Sequence, residues 1–181
     1  MTRLSQADRY KNIPTLINAF TGVVRARPDA RLLIVGDGDD RPHLEALAAK
    51  QLPPGCYRFA GLLSDAAIQS AWEESSIFAL PSDGEGFGLV FAEAMSHGLP
   101  CLCGNRDAAR EVVQSDETGW SLDAQNPAAW TASILQLLAQ PDLADSMGTA
   151  GQRRYAQLFT AEAFRGRIRS ALAQNGFAGT S

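Results

Sequence analysis

Short apolar runs alternate with stretches of helical periodicity along the whole chain, and few folds accept that alternation. A strand covered on both faces reads as a continuous apolar run. Here each such run is followed by Gly, Pro or Asp punctuation and then by a helical stretch. Strands are expected at 31–35, 57–60, 77–80, 100–103 and 120–122. Helices are expected at 13–27, 41–50, 65–74, 87–97, 108–114 and 127–139, with a C-terminal pair from 143 onward. This is the pattern of an α/β protein built on a doubly wound parallel sheet flanked by helices. With 181 residues, 45% of them hydrophobic, the chain is sized for one domain with a substantial core, read as 1–181 with a C-terminal helix and tail over about 160–181.

A net charge of −4 gives no general attraction to nucleic acid, so any anion site must be local, made by a few placed Arg and Lys side chains. No apolar run reaches the roughly 18 residues a membrane span needs, and the N-terminus lacks a signal-peptide core, so the chain reads as cytoplasmic. Cys56, Cys101 and Cys103 make neither an even disulfide framework nor a zinc spacing, so no metal site is expected. Cys101 and Cys103 alternate around Leu102 in an apolar run and are read as inert core thiols.

Between Pro81 and Pro100 runs Pro-Ser-Asp-Gly-Glu-Gly-Phe-Gly-Leu-Val-Phe-Ala-Glu-Ala-Met-Ser-His-Gly-Leu-Pro. A glycine-rich turn feeds a helix, with carboxylates at Glu85 and Glu93. Gly84, Gly86 and Gly88 remove side chains where a ligand must approach the backbone, and a helix N-terminus favours negative charge. If Glu85 precedes the helix and Glu93 sits two turns inside it, they lie on the order of 12 Å apart along the axis. That span suits a sugar and a ribose, with a diphosphate between them.

The spacing Pro-Ser-x-x-Glu-Gly-Phe-Gly-x-x-x-x-Glu-Ala-Met-x-x-Gly-x-Pro, with Glu85 and Glu93 as its two acids, resembles the donor-site motif of group 1 (family 4) glycosyltransferases. These are retaining enzymes of the GT-B fold. The similarity runs from Arg3 to about Phe164 and covers the C-terminal, nucleotide-sugar-binding domain alone. The resemblance implies a Rossmann-like domain in which Glu93 holds the ribose, Glu85 holds the donor sugar, and the amides of Gly86, Phe87, Gly88 and Leu89 hold sugar and diphosphate. Arg3 and Lys11 would grip the diphosphate as it leaves, with Arg9 competing for the role given to Lys11; two fixed cations can stabilise that departing charge without a metal. The family's domain normally begins with a strand ahead of Arg3, and here that first strand is read as missing. Its loss would open a slot in mid-sheet, in a fragment of a longer protein or in an assembly where a neighbouring chain fills the gap.

The turn Val35-Gly36-Asp37-Gly38-Asp39-Asp40-Arg41 fails as a dinucleotide fingerprint, because Arg41 stands at the third glycine position. By resemblance it borders the donor cleft, with Gly36 near the sugar; a tight turn with an Asp helix cap is the equal or better reading. Phe59-Ala60-Gly61-Leu62-Leu63-Ser64-Asp65 resembles the segment whose backbone meets the nucleotide base at Gly61 and Leu62, with Ser64 or Asp65 capping the next helix. UDP, GDP and ADP sugars are not separated by these residues, and no further cofactor is implied. Many relatives carry a glycine where Ala108 stands. His97 is read as a helix-end residue before the cap glycine Gly98, and His43 as a surface residue.

Two functions fit. The first is a retaining sugar transfer, completed by an N-terminal acceptor domain, to a glycan or lipid-linked acceptor in polysaccharide or lipopolysaccharide synthesis, with peripheral membrane approach in the full enzyme. The second is a nucleotide-sugar-binding module that is inactive as this half and requires a partner chain. A glycosidase is disfavoured, since its carboxylates stand about 5–9.5 Å apart and need no phosphate cradle.

Overall fold

Apolar runs too short for helices become strands, and each following amphipathic stretch packs back across them. The computed structural model describes residues 2–174. In chain order it comprises β1 (Thr2–Arg3), a 3-10 stretch (Gln6–Lys11), α1 (Ile13–Ala26), β2 (Leu32–Asp37), α2 (Arg41–Gln51), β3 (Tyr57–Gly61), α3 (Asp65–Glu73) and β4 (Phe78–Leu80). There follow α4 (Leu89–Ser96), β5 (Cys101–Gly104), α5 (Ala109–Val112), β6 (Gly119–Leu122), α6 (Pro127–Ala139), α7 (Pro141–Leu158) and α8 (Ala161–Gln174).

Among the described residues all strand pairing is parallel, in two three-stranded sheets ordered β1-β2-β3 and β4-β5-β6. The chain winds outward from β1 to β3, returns to the middle, and winds outward again from β4 to β6. That reversal is the topological switch point of a doubly wound sheet, where loops from the carboxyl ends of two strands diverge and leave a crevice.

The first strand, read from sequence as missing, is present as a stub: Thr2 lies opposite Gly36 and Arg3 opposite Asp37. The helix expected over 87–97 begins only at Leu89, because Gly88 takes left-handed angles (φ 75°, ψ 37°) that an α-helix does not admit. Glu93 therefore sits about one turn inside α4, not two, and the axial spacing inferred from two full turns does not apply. The helix expected over 108–114 shrinks to Ala109–Val112, since Val113 is already extended. The Asp cap expected at the start of α2 is also absent: Asp40 occupies the N-cap position, but its carboxylate makes no capping bond. Ser64 does cap α3, accepting from the Ala67 amide at 3.4 Å. Of the expected C-terminal helix and tail, residues 175–181 lie outside the described residues.

One core joins the layers. Phe91 and Met95 of α4, Leu102 of β5 and Trp130 of α6 are fully buried, each such side chain being worth about 1.5–3 kcal/mol of apolar transfer. The Trp130 indole N–H is satisfied by the Asp123 carbonyl at 3.0 Å. All three cysteines are buried and free. Burial raises the Cys101 thiol far above its ordinary range and pushes Cys103 up to about 11, so neither supplies a thiolate near neutral pH. His97 ends α4 and stacks on Trp72, with ring centroids 5.7 Å apart, while Gly98 takes the left-handed cap (φ 74°). Among the described residues no helix is long and apolar enough to cross a membrane.

Gly104 decides how closely the end of β5 approaches the turn after β4. A Cβ there would lie 1.8 Å from the Ser82 carbonyl oxygen, which is backbone, whereas a Cβ on Gly86 would meet nothing within 4 Å. We expect Gly104→Ala to cost about 2–3 kcal/mol and Gly86→Ala to stay within about 0.5 kcal/mol of wild type. Equilibrium urea unfolding of the two variants checks the contrast.

Candidate functional site

The carboxyl ends of β1, β4 and β5 converge, and four polar side chains, Asn12, Ser82, Asp83 and Asp107, lock their loops together. Asn12, in left-handed geometry (φ 50°, ψ 38°), uses its side-chain amide to donate to the carbonyls of Tyr10 (3.1 Å) and Pro81 (2.9 Å) and to Asp83 Oδ2 (3.1 Å). The Asp83 amide donates back to the Tyr10 carbonyl at 2.7 Å. Asp107, after β5, accepts from Ser82 Oγ and from the Glu85 amide, both at 2.8 Å, on one carboxylate oxygen, and from the Ala109 amide at 3.0 Å on the other. The Glu85 carbonyl in turn accepts from the Ala108 amide at 3.3 Å. The glycine-rich turn thus hangs from a carboxylate on one side and an amide on the other.

Lys11 is 8% exposed. Its ammonium donates to the Arg3 carbonyl at 3.0 Å and lies 5.5 Å from the centroid of the Tyr10 ring. That ring covers Gly84, where a Cβ would come within 3.0 Å of it. The two competing cations are therefore placed differently. Lys11 is turned inward, whereas the Arg9 side chain is 64% exposed and reaches Asp40 at 3.5 Å. Arg3 joins the site through its backbone; its guanidinium is 78% exposed, 3.9 Å from Asp8.

Glu85 is half-buried beside this cation. Burial raises its carboxyl above the ordinary 4.5, the charge of Lys11 pulls it back down, and Asp107 and Asp8 push it up. Tyr10 is also raised, chiefly by burial and then by Glu85. Gly86 is open, Phe87 and Leu89 are exposed, and Gly88 occupies the N-cap of α4, so the amides at this helix end lie beside Glu85 with little side-chain cover. Glu93 stands on an exposed position of α4.

Gly36 and Gly61 form a second group. They pair across a bulge between β2 and β3, and Gly61 (φ 67°) lies under Arg41, whose Nη1 would be 2.9 Å from a Cβ at that position. Arg41 is held by Glu45 (2.7 Å) and Asp37 (3.4 Å). Leu62 is 72% exposed. This group lies on the opposite side of β1 from the Glu85 turn, along the same carboxyl-end edge of the strands.

Asn12, Asp107 and Arg41 were not singled out from sequence as site residues. Asn12 carried the faintest signal, as an Asn before Ile-Pro at a helix start, a position that tolerates left-handed angles. Asp107 acts on Ser82 and Glu85, distant in sequence, and carries no local mark; the Asp37 and Glu45 partners of Arg41 stand four residues to either side of it, but its place over Gly61 does not show in that spacing.

A converging set of parallel-strand ends, with a glycine turn and a buried cation at the switch point, defines a nucleotide-type Rossmann domain. The profile of "Glycosyl transferases group 1" matches residues 2–154. Over 161 residues, 82% of the chain, it is 32% identical to the GDP-mannose-dependent alpha-(1-6)-phosphatidylinositol monomannoside mannosyltransferase of Mycobacterium tuberculosis. The fold superposes on sucrose-phosphate synthase from Thermosynechococcus elongatus with a TM-score of 0.82 at 27% identity, covering 98% of this chain and 46% of that one. It also superposes on the isolated C-terminal domain of a group 1 glycosyltransferase (LpcC) from Francisella tularensis, with a TM-score of 0.78 at 19% identity, covering 88% and 85% of the two chains. The chain belongs to the group 1 glycosyltransferases and corresponds to the C-terminal domain of their GT-B fold. It spans about two fifths of the length of the curated relatives it matches.

The raised Glu85 carboxyl has a pH signature. Folded Glu85 keeps its proton to higher pH than it does in the unfolded chain, so its contribution is fully present below the ordinary value of 4.5 and is lost as pH rises through the raised one. Glu85→Gln removes that dependence. We expect the variant to melt above wild type at pH 7, with the gap closing below the ordinary carboxyl range; thermal melts across pH 3.5 to 7.5 read it.

Proposed function

We propose that the chain is the donor-binding half of a retaining glycosyltransferase, and that it holds a nucleoside-diphosphate sugar at the switch point. The observation that carries this reading is the pairing of one inward-turned cation, Lys11, with the half-buried carboxyl of Glu85 beside an uncovered glycine turn. In this reading the Gly86, Phe87, Gly88 and Leu89 amides meet the diphosphate and sugar, where backbone N–H groups and the helix dipole favour an anion. Glu85 accepts hydrogen bonds from sugar hydroxyls, and Glu93 accepts from the ribose. Gly61 and Leu62 meet the base, and Gly36 lies near the sugar.

Bond breaking leaves negative charge on the diphosphate. Lys11, with Arg3 swung inward from its exposed position, stabilises that charge. In this reading retention proceeds by acceptor attack on the face the leaving group departs from, with the leaving phosphate taking the acceptor proton. An N-terminal acceptor domain supplies the other wall of the cleft and excludes water. Alone, this half binds donor without turning it over.

Mannosyltransferases stand among the relatives above 30% identity, which makes GDP-mannose the first donor to try and a lipid-linked or glycan acceptor the first class to offer. A cytoplasmic enzyme that meets its acceptor at the membrane face accords with this chemistry. Calorimetric titration of the chain with GDP, UDP and ADP, then with the matching mannose and glucose conjugates, tests the reading. We expect one base to be preferred and Glu93→Ala to weaken that nucleotide by about 10- to 100-fold, the loss of hydrogen bonds to a carboxylate. A folded chain that binds none of the three contradicts a working donor half.

A further inference from the structure

Beside Gly61, at the carboxyl ends of β2 and β3, a donor and an acceptor stand side by side and hold each other only loosely. Arg41, the first residue of α2, is anchored from behind: its Nε donates to Glu45 Oε1 at 2.7 Å. Asp37, the last residue of β2, is anchored in the same way, its Oδ1 accepting from the Gly38 amide at 2.8 Å. The outer ends meet at Arg41 Nη1 and Asp37 Oδ2, 3.4 Å apart, and Arg41 Nη2 reaches the Phe59 carbonyl at the same long distance. These contacts occupy three of the five N–H groups of a guanidinium, so among the described residues the other two find no acceptor. Both outer ends converge on one point: a Cβ on Gly61 would lie 2.9 Å from Arg41 Nη1 and 3.9 Å from Asp37 Oδ2. Neither side chain is shut away, with 28% of Arg41 and 46% of Asp37 exposed.

We propose that Arg41 and Asp37 together select the base of the donor nucleotide by reading a lactam edge, an oxo group beside a ring N–H. Arg41 donates to the oxo group, and Asp37 Oδ2 accepts from the N–H. Guanine presents this edge as O6 and N1–H, and uracil as O4 and N3–H. Adenine presents the reverse, an amino group beside a bare ring nitrogen, which sets donor against donor and acceptor against acceptor. A site whose polar groups are left unpaired by the wrong ligand rejects it far more strongly than an apolar surface can. Leu62, 72% exposed, offers the ring an apolar face but no side-chain donor or acceptor, so the choice between bases falls to the pair. Their anchors on Glu45 and Gly38 hold both groups in place before a base arrives, and the loose 3.4 Å contact between them is the one a base bridges. The proposal rests on the donor reading, in which the base meets Gly61 and Leu62, and names the side chains that decide which base is taken.

Inosine and adenosine diphosphates differ only at this edge, so calorimetric titration of the chain with GDP, IDP and ADP isolates it. We expect GDP and IDP to bind at least about tenfold tighter than ADP, the effect of hydrogen bonds to charged groups. Arg41→Met keeps the apolar stem and removes the donors, while Asp37→Asn puts an amide where only an acceptor stood. Each is expected to bring the preference for IDP over ADP to within about threefold, mainly by weakening IDP. The preference is a ratio within one variant, so partial unfolding lowers both affinities alike and leaves it unchanged, and the wild-type comparison needs no variant at all. Equal binding of IDP and ADP by the wild-type chain overturns the proposal, as does a preference that survives either substitution; in both cases nucleotide still binds and the donor reading stands. A folded chain that binds none of the three removes the donor reading and this proposal with it.

Discussion

The side-chain amide of Asn12 holds two loops together that no strand pairing joins. β1 and β4 belong to separate sheets, yet the amide reaches Pro81 and Asp83 across the switch point. Lys11 precedes Asn12 in the chain, and Glu85 follows Asp83 in the turn. Cation and carboxylate therefore face one crevice because the Asn12 side-chain amide, together with the Asp83 amide on the Tyr10 carbonyl, spans it. Asp107 completes the constraint from β5, fixing Ser82 and the Glu85 backbone by charge-assisted bonds, which run about twice as strong as neutral ones. Gly104 makes that contact possible by letting the two loops approach to backbone distance.

The electrostatics follow from that packing. Glu85 is desolvated enough to resist ionisation, and Lys11 is near enough to oppose the shift. A site that binds a diphosphate sugar needs both signs: a cation for the phosphates and an acceptor for the hydroxyls. Exposed charges at the same spacing would be screened by solvent and salt. The inward position of Lys11, with its ammonium on the Arg3 carbonyl, is what makes its charge effective, and the exposed Arg9 is instead spent on Asp40.

The strands were legible because each is a short apolar run ended by a breaker. Cys101–Gly104 and Tyr57–Gly61 fall within a residue of their expected bounds, and the glycine turn with its two acids stands out in the sequence as a candidate site. Less legible was whatever depends on distant partners. The 3-10 stretch Gln6–Lys11 is polar and aperiodic, held by contacts to the Gly84 turn and to Asp40. Helix α4 starts late because Gly88 takes left-handed angles, which a glycine permits without requiring. Asp107 looked like one residue of a loop; its hydrogen bond to the Glu85 amide spans 22 positions. The stub β1 was invisible, since two residues carry no period, and it is held by its pairing with β2.

Amide chemical-shift mapping of the labelled chain on titration with GDP-mannose shows whether the crevice bridged by Asn12 holds the donor. Saturable shifts are expected, centred on Gly84 to Leu89 and on Lys11, with smaller ones at Glu93 and Gly61. Shifts confined to residues away from these, or none at all in a folded sample, would contradict a donor site at the Asn12-bridged crevice.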